Sequence, residues 1–191
     1  MSTPENSDSD LSIDADIPRW YVMRDLKRPN ALRPAWVELG DRGFDVFTPT
    51  VEKLFVSGGR QTRRRVAFIS DLLFVRSTRA ALDPEVAHCP TLQYRFVRGA
   101  HMCPMTVPEI DMSRFIAGVR ASEKPRYLTP AELTQQHIGR RIRICTPGPM
   151  FGLEGRLVSI RGSRPRHILL TIPGIAALLR LTSPDYLLLD E

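Results

Sequence analysis

Short apolar runs, separated by proline and glycine, dominate the chain and predict an α+β fold built mainly from strands. In the first half, apolar or alternating runs predict strands at residues 19–23, 44–47, 54–56, 66–69, 72–75 and 92–97. The run at 72–75 is uninterrupted, which is typical of a central strand covered on both faces. Apolar positions at helical spacing predict helices that begin near Pro34, lie around 84–88, and extend from Pro108 to about residue 119.

The second half of the chain begins after a polar segment. Residues 121–135 contain Pro125 and Pro130 and carry no net charge, so we predict a linker there. Five short β-rich runs follow, at residues 141–145, 156–160, 167–171, 175–181 and 186–189. Turn signals separate these runs, and short strands that meet at turns are typical of a small barrel. The predicted organisation is a tail at 1–16, a domain at 17–120, a linker at 121–135 and a barrel at 136–191.

The charge distribution separates the tail from the rest of the chain. The 191 residues carry 27 basic and 21 acidic side chains, which gives a net charge of +6. Residues 1–16 hold five acids and no base, so the tail is expected to be disordered and the remainder carries about +11. Of the 27 bases, 24 are arginine, which is suited to bidentate contact with phosphate. We therefore expect a polyanionic partner, with a merely solubilising basic surface as the alternative.

Composition excludes several classes of protein. The apolar fraction of 42% and the charged fraction of 25% are ordinary for a globular chain. No window approaches 18 uncharged apolar residues, and the tail has neither a basic nor an apolar region. Neither a membrane-spanning helix nor a secretory signal is predicted. Three cysteines at irregular spacing do not form a disulfide framework, so we expect reduced thiols in a cytoplasmic protein.

A cluster of arginines lies on the return arm of a predicted hairpin, whose turn is the Gly-Gly pair at residues 58–59. Only Glu52 and Asp71 are acids nearby in sequence, so local pairing cannot neutralise the whole cluster. No aromatic residue is interleaved in the cluster, so base stacking by this segment is not predicted. Contact with phosphate is the functional interpretation, and a solvated charge run is the alternative. The candidate nucleic-acid-binding residues are Arg60, Arg63, Arg64 and Arg65.

A glycine-rich segment, PGPMFGLEGR at residues 147–156, is the most specific motif in the chain. A tight loop between two strands needs glycine where φ is positive or where backbones approach closely. The segment lacks the Gly-Lys-Ser/Thr ending of a phosphate-binding loop, and no helix is predicted after it. Its candidate residues are Gly148, Met150, Phe151, Gly152 and Gly155. Residues 148–155, which start ten residues after Ile138, resemble the KOW motif of NusG-type transcription elongation factors.

Segments of the first half resemble the same family. Residues 20–22 (WYV) look like the opening strand of the NusG amino-terminal domain. Residues 68–75 (FISDLLFV) resemble its FPGY-x-FV strand, and residues 103–108 (CPMTVP) resemble its P-x-x-V-P helix start. The resemblance covers residues 18–191 and is strongest toward specialised paralogues of the RfaH and UpxY types. It implies an antiparallel four-stranded sheet with flanking helices, followed by an SH3-like KOW barrel.

The resemblance also implies a function. The chain would be a monomeric, non-enzymatic elongation or antitermination factor that suppresses pausing or termination on specific operons, such as surface-polysaccharide loci. Its first domain would bind the clamp helices of the largest RNA polymerase subunit. Nontemplate DNA or nascent RNA would be further partners, as would a ribosomal protein or termination factor bound by the KOW domain. The implied polymerase-binding residues are Tyr21, Met23, Ile69, Leu72 and Phe74.

This sequence departs from the family pattern at the implied polymerase face. Ser70-Asp71 stands in place of Pro-Gly, and Ile69 and Leu72 stand where aromatic residues are usual. An aliphatic face buries area but loses the aromatic anchors typical of interfaces. The prolines spread along the KOW segment argue against a switch of that domain to a helical form.

The alternative function is that of a KOW-type RNA-binding protein of the translation apparatus, with its main site on the basic barrel. A metal site is not predicted, because His88-Cys89 and His101-x-Cys103 lack the usual Cys-x₂₋₄-Cys spacing. No nucleophile–base pair or acidic dyad stands out. The sequence therefore predicts no enzymatic activity and no cofactor. It also predicts no membrane partner.

Overall fold

The computed structural model describes residues 17–29, 31–134, 139–159, 166–181 and 185–189. The acidic tail predicted at residues 1–16 lies outside these ranges. The described chain is α+β with antiparallel sheets, which confirms the predicted class. It divides into two compact units, unit 1 (Met1–Thr106) and unit 2 (Val107–Glu191). In the described ranges, no helix combines the length and the apolar character needed to cross a membrane.

Unit 1 is a small sheet with two helices and a separate hairpin. Its strands are β1 (Arg19–Asp25), β2 (Asp45–Phe47), β3 (Thr50–Ser57), β4 (Arg60–Ala67), β5 (Leu72–Ser77) and β6 (Leu92–Tyr94). Its helices are α1 (Ala35–Asp41) and α2 (Arg79–His88). The main sheet has the order β2-β5-β1-β6, and the short strand β7 (Thr106–Val107) also pairs with β1. Among the described strands, β3 and β4 pair only with each other.

Strand β5 is the central strand that its apolar run predicts. It pairs antiparallel with β1 over six residues and with β2 over three. Leu72, Leu73, Phe74 and Val75 are all buried, so both faces of the strand are covered. On one face, Leu73 and Val75 pack into a core with residues of α1 and α2.

The carboxylate of Asp25 joins the end of β1 to the start of α1. Asp25 is buried, and its oxygens accept hydrogen bonds from the backbone N–H of Lys27 at 2.9 Å and of Ala35 at 2.6 Å. The helix follows Pro34, as predicted, and the chain leaves it through Gly43 with φ of 88°. A buried carboxylate is stabilised when several N–H groups donate to it, so Asp25 both caps the helix and fixes the loop before it.

The described residues of unit 2 form one α-helix and six strands. These elements are α3 (Glu109–Ala121), β8 (Arg126–Leu128), a 3₁₀ turn (Pro130–Glu132), β9 (Arg141–Ile144), β10 (Glu154–Ser159), β11 (Arg166–Ile172), β12 (Ile175–Arg180) and β13 (Tyr186–Leu188). All five strands predicted after residue 136 are present. The helix predicted at the end of the 17–120 domain lies in unit 2, so the division between the units falls before it.

The closed barrel predicted for residues 136–191 is wrong for the described chain. The six strands form an open antiparallel sheet in the order β13-β9-β10-β11-β12-β8. Strand β8 comes from the segment predicted to be a linker, and it pairs with β12 from Ala176↔Leu128 to Leu178↔Arg126. Strand β8 therefore occupies the edge of β12 that would have to be free for β12 to pair with β13 and close the barrel.

Helix α3 packs closely on β11 and β12 because of Gly118. A Cβ atom at this position would lie 2.6 Å from Cδ1 of Leu170 and 2.8 Å from Cδ1 of Leu179. The missing side chain lets the helix backbone approach the apolar face of the sheet. This contact accounts for the place of α3 in the carboxyl-terminal unit.

Gly155 allows a similar close approach within the sheet, and its substitution tests the packing of unit 2. A Cβ atom there would lie 2.7 Å from the backbone oxygen of Leu169. We expect Gly155→Ala to lower the free energy of unfolding by about 1–3 kcal/mol, because a backbone atom must move. Gly40→Ala is the control, since nothing lies within 4 Å of its Cβ position, and we expect a gain of about 0.5–1 kcal/mol. Chemical denaturation measures both, and an unchanged Gly155→Ala variant would contradict the packing.

Glu154 is the hub of an ion-pair network in unit 2. Its side chain is 10% exposed; Arg143 donates to its Oε1 through Nε at 2.8 Å and Nη2 at 2.5 Å. Its Oε2 lies 3.1 Å from Nη2 of Arg114 and 3.7 Å from Nη2 of Arg141. The hydrogen bonds from Arg143 hold the pKa of Glu154 below its usual value of 4.5, although burial opposes them.

The lowered pKa of Glu154 predicts a specific dependence of stability on pH. Because the carboxyl is more acidic in the folded chain, its contribution is fully present above pH 4.5 and is lost as the pH falls through the lowered folded value. We expect Glu154→Gln to destabilise the chain at pH 7 and to flatten the decline of unfolding free energy below pH 4.5. Glu123→Gln, a change of an exposed glutamate, is the control for acid titrations followed by circular dichroism. Equal acid slopes for wild type and Glu154→Gln would contradict the network.

Candidate nucleic-acid interface

The β3–β4 hairpin lies between two strands that are themselves neighbours in the sheet. Strands β2 and β5 pair, and the chain between them forms the hairpin. Two hydrogen bonds tie its base to the sheet: the Thr48 hydroxyl donates to the carbonyl of Leu72 at 2.9 Å, and the N–H of Phe68 donates to the carbonyl of Pro49 at 2.8 Å. The base of the hairpin is therefore fixed by the buried strand β5.

The turn of the hairpin is the predicted Gly-Gly pair. Gly58 and Gly59 have φ of 56° and 76°, and a two-residue turn with positive φ at both positions matches the twist of the flanking strands. Eight residue pairs form the ladder, from Thr50↔Ala67 to Ser57↔Arg60. The sequence prediction of this hairpin is confirmed, and its strands extend beyond the predicted apolar runs.

The hairpin holds its four arginines exposed and without acidic partners. Every residue from 52 to 65 is exposed. Within the described part of the chain, no ion pair involves Arg60, Arg63, Arg64 or Arg65. Glu52 lies opposite Arg65 in the ladder without forming an ion pair. These guanidinium groups keep their donors available for an external anion.

Phe55 also belongs to the surface that carries these arginines, although its position in the sequence does not indicate this. It lies on β3, opposite Thr62, and its ring centroid is 5.8 Å from the guanidinium carbon of Arg64. The side chain is 38% exposed, so part of the ring is open to solvent. In sequence Phe55 precedes the arginine cluster, and only the strand register brings it among these side chains.

The implied polymerase-binding residues mostly lie in the interior. Tyr21 and Met23 belong to the core that contains α1 and α2. Leu72 and Phe74 are also buried, and Ile69 is half-buried. The structure thus leaves only Ile69 of this set partly accessible.

An open groove of about 780 Å³ gives unit 1 a different accessible surface. Arg24, Asp71, Arg95 and Phe96 are among its lining residues. Oδ2 of Asp71 accepts from Nε of Arg24 at 3.2 Å and from Nη2 of Arg95 at 3.1 Å. Phe96 is 44% exposed. Asp71 therefore holds two arginines in this groove.

Tyr94 lines the groove and contacts two side chains of α2. Its hydroxyl donates to Oδ1 of Asp83 at 2.7 Å, and the guanidinium carbon of Arg79 lies 4.9 Å from its ring centroid. Burial, reinforced by the hydrogen bond to Asp83, raises the pKa of the Tyr94 phenol. The group therefore stays protonated and keeps donating to Asp83.

The glycine-rich segment of unit 2 is a tight loop between β9 and β10. Gly148 and Gly152 have φ of 146° and 75°, and the N–H of Phe151 donates to the carbonyl of Gly148 at 3.0 Å. The Phe151 side chain is 67% exposed, whereas Met150 is half-buried. Gly155 follows within β10 at a close backbone approach. The predicted reasons for glycine, positive φ and close approach, are both confirmed.

The described ranges hold no group of three or more His, Cys, Asp or Glu side chains arranged to bind a metal ion. The three thiols, Cys89, Cys103 and Cys145, are free. Comparison of the chain with models of protein families and with curated proteins gave no match. Functional evidence therefore comes from the hairpin, the groove and the glycine-rich loop.

The unpaired arginines predict a salt-dependent affinity for nucleic acid. We expect the simultaneous change of Arg60, Arg63, Arg64 and Arg65 to serine to weaken binding and to reduce the slope of log affinity against log salt by up to about 2.8 for single strands. The control replaces four exposed arginines outside the hairpin, Arg28, Arg98, Arg120 and Arg180, which changes the net charge equally. Fluorescence anisotropy of labelled oligonucleotides measures both slopes. Equal loss in the two variants would show that only net charge matters.

Proposed function

We propose that this chain is a transcription elongation or antitermination factor that acts by binding RNA polymerase and nucleic acid, without covalent chemistry. The motif resemblance over residues 18–191 and the antiparallel α+β architecture support this proposal. The observation that carries it is the exposed hairpin with four unpaired guanidinium groups. Such a hairpin is suited to phosphate contact next to a larger protein partner.

The groove of unit 1 is the best surface for the polymerase. A partner helix needs accessible side chains, and the buried residues Tyr21, Met23, Leu72 and Phe74 do not supply them. Phe96 offers exposed apolar area in the groove, and Arg24 offers a charge-assisted donor. A clamp helix of the largest polymerase subunit would bury Phe96 and place an acidic side chain near Arg24.

Such a factor would act by changing the relative populations of polymerase conformations. By binding polymerase and the nearby nucleic acid together, unit 1 would favour the closed, processive state over paused states. The exposed Phe151 on the glycine-rich loop of unit 2 is the contact we propose for a second partner, a ribosomal protein or a termination factor. Recruitment to specific operons, such as surface-polysaccharide loci, belongs to the same proposal.

The charge of unit 2 favours this function over an RNA-binding protein of the translation apparatus. That alternative needs its main basic site in unit 2. Arg114, Arg141 and Arg143 instead surround the carboxylate of Glu154, which reduces their charge available to phosphate. The hairpin of unit 1, in contrast, places four exposed arginines without acidic partners in the described chain on a single strand.

Capture of purified bacterial RNA polymerase by the full chain tests the proposal. We expect Phe96→Asp to reduce captured polymerase about tenfold or more, because a charge replaces the exposed aromatic side chain of the groove. Leu32→Asp is the matched control, since Leu32 is 91% exposed and does not line the groove, and we expect it to bind like wild type. In parallel, wild type should increase readthrough of a terminator in transcription with the purified polymerase.

Two outcomes would contradict this function. A wild-type chain that neither captures polymerase nor changes readthrough would overturn it. If that chain also binds RNA with an affinity that the four hairpin changes leave intact, the translation-side alternative replaces it.

A further inference from the structure

The register of the hairpin divides its exposed side chains between two chemically different faces. Residues opposite each other in an antiparallel ladder share a face, and successive residues alternate. The first face, here called the aromatic face, consists of Lys53, Phe55, Ser57, Arg60, Thr62 and Arg64. The second, here called the aliphatic face, consists of Glu52, Leu54, Val56, Gln61, Arg63 and Arg65. The four arginines that appear as one cluster in sequence are thus split into two pairs.

Charge and aromatic surface coincide on only one of these faces. The aromatic face carries three cations, Lys53, Arg60 and Arg64, and no acid. Its ring, Phe55, lies opposite Thr62 and within 5.8 Å of the Arg64 guanidinium carbon. The aliphatic face carries two cations and an acid, Glu52, and has no ring.

We infer that the aromatic face is a stacking platform for single-stranded nucleic acid, with Phe55 against a base and the three cations against the neighbouring phosphates. This deepens the proposed function at the hairpin, but it does not depend on the polymerase. An exposed ring within a positive surface is the combination that single-strand-binding proteins use. In a duplex the faces of the bases are occupied by their neighbours, so Phe55 can reach a base face only in an unpaired strand.

The spacing on the aromatic face suits an extended strand. Same-face neighbours along β3 are about 7 Å apart, and directly opposed residues of β4 lie about 5 Å away. Lys53 and Arg64 therefore form a cationic pair on one side of Phe55, and Arg60 lies on the other side, opposite Ser57. A base on the ring has its flanking phosphates within reach of both ends of this row.

A comparison of normal and abasic oligonucleotides isolates the stacking contribution. The probes are a labelled oligothymidylate, an abasic strand of the same length, an oligouridylate and a thymidine–adenine duplex, each titrated against the full chain. We expect wild type to bind oligothymidylate more tightly than the abasic strand or the duplex. We expect Phe55→Leu to lose about 5- to 150-fold in affinity for oligothymidylate and to keep its affinity for the abasic strand. An oligodeoxyuridylate, which differs from the oligouridylate only in the sugar, completes the set, and the ratio of these two affinities distinguishes DNA from RNA as the preferred strand.

The split of the arginines supplies a matched control for charge. Arg60→Ser with Arg64→Ser, and Arg63→Ser with Arg65→Ser, each remove two guanidinium groups from the same strand of the same hairpin. The first pair should lower the salt slope by about 1.4 on single strands, and the second should lower it by clearly less. All positions are exposed, and unfolding curves by circular dichroism verify that each variant is folded.

Three results would overturn the inference. These are an equal effect of the two arginine pairs, a loss by Phe55→Leu that is the same on abasic and normal strands, and duplex binding as tight as single-strand binding. A measurement of polymerase capture by the Phe55→Leu variant separates this test from the test of the proposed function. Capture without base-dependent binding contradicts only the stacking platform, whereas base-dependent binding without capture contradicts only the polymerase partner.

Discussion

The antiparallel pairing of β5 between β1 and β2 is the constraint on which unit 1 depends. Four consecutive apolar residues of β5, from Leu72 to Val75, are buried, and their burial is the main favourable term for this sheet. The same strand fixes the base of the hairpin, through the carbonyl of Leu72, and the groove, through Asp71 just before it. An exposed, highly charged hairpin has little apolar burial of its own to stabilise it. Its position therefore depends on the strand that holds both of its ends.

The distribution of acids sets the hairpin apart from the two arginine clusters that have acidic partners. In those clusters, Arg24 and Arg95 share Asp71, and three arginines surround Glu154. Each of these acids lies beside more than one guanidinium, so it offsets part of their positive charge and fixes their local geometry. On the hairpin the excess of cations is larger, with five cations and one acid among residues 52–65. Charge repulsion there is tolerable because the side chains are exposed and solvent screens them.

Sequence reasoning predicted the elements better than their assembly. The spacing of apolar residues predicts most of the strands, and the residue types predict the Gly58-Gly59 turn. Both are local signals in the sequence. The pattern predicts a start for α2 near Pro84, because proline is typical of the first turn of a helix, whereas in the structure Pro84 lies inside a helix that begins at Arg79. Strand β8 was missed because it is three residues long and is stabilised by pairing with β12, which lies about 50 residues later in the chain. The open sheet follows from that same long-range pair.

Prediction of the candidate sites met the same limit. The arginine cluster was visible in sequence, but its division between two faces and the place of Phe55 follow only from the ladder register. Apolar residues implied to be a binding surface, such as Leu72 and Phe74, were indistinguishable in sequence from core residues, and the structure places them in the interior. Arg24 and Phe96 gave no motif signal. They share a groove only because Arg24, on β1, is paired with Gln93, on β6, and Phe96 follows β6 within three residues.

The combination of a stacking ring with a few cations favours a contact that is weak and tolerant of sequence. Every base has a face on which Phe55 can stack, and phosphate contacts carry no base information. Under the proposed function such a contact is suitable, because tight sequence-specific binding would oppose the movement of the factor with polymerase along the template. The affinity of the whole chain would then come from the presence of two binding surfaces, the hairpin and the groove, on one unit. Once one surface has bound its partner, the other surface meets its own partner at a high effective concentration. Discrimination between operons would have to come from other contacts than those of the aromatic face.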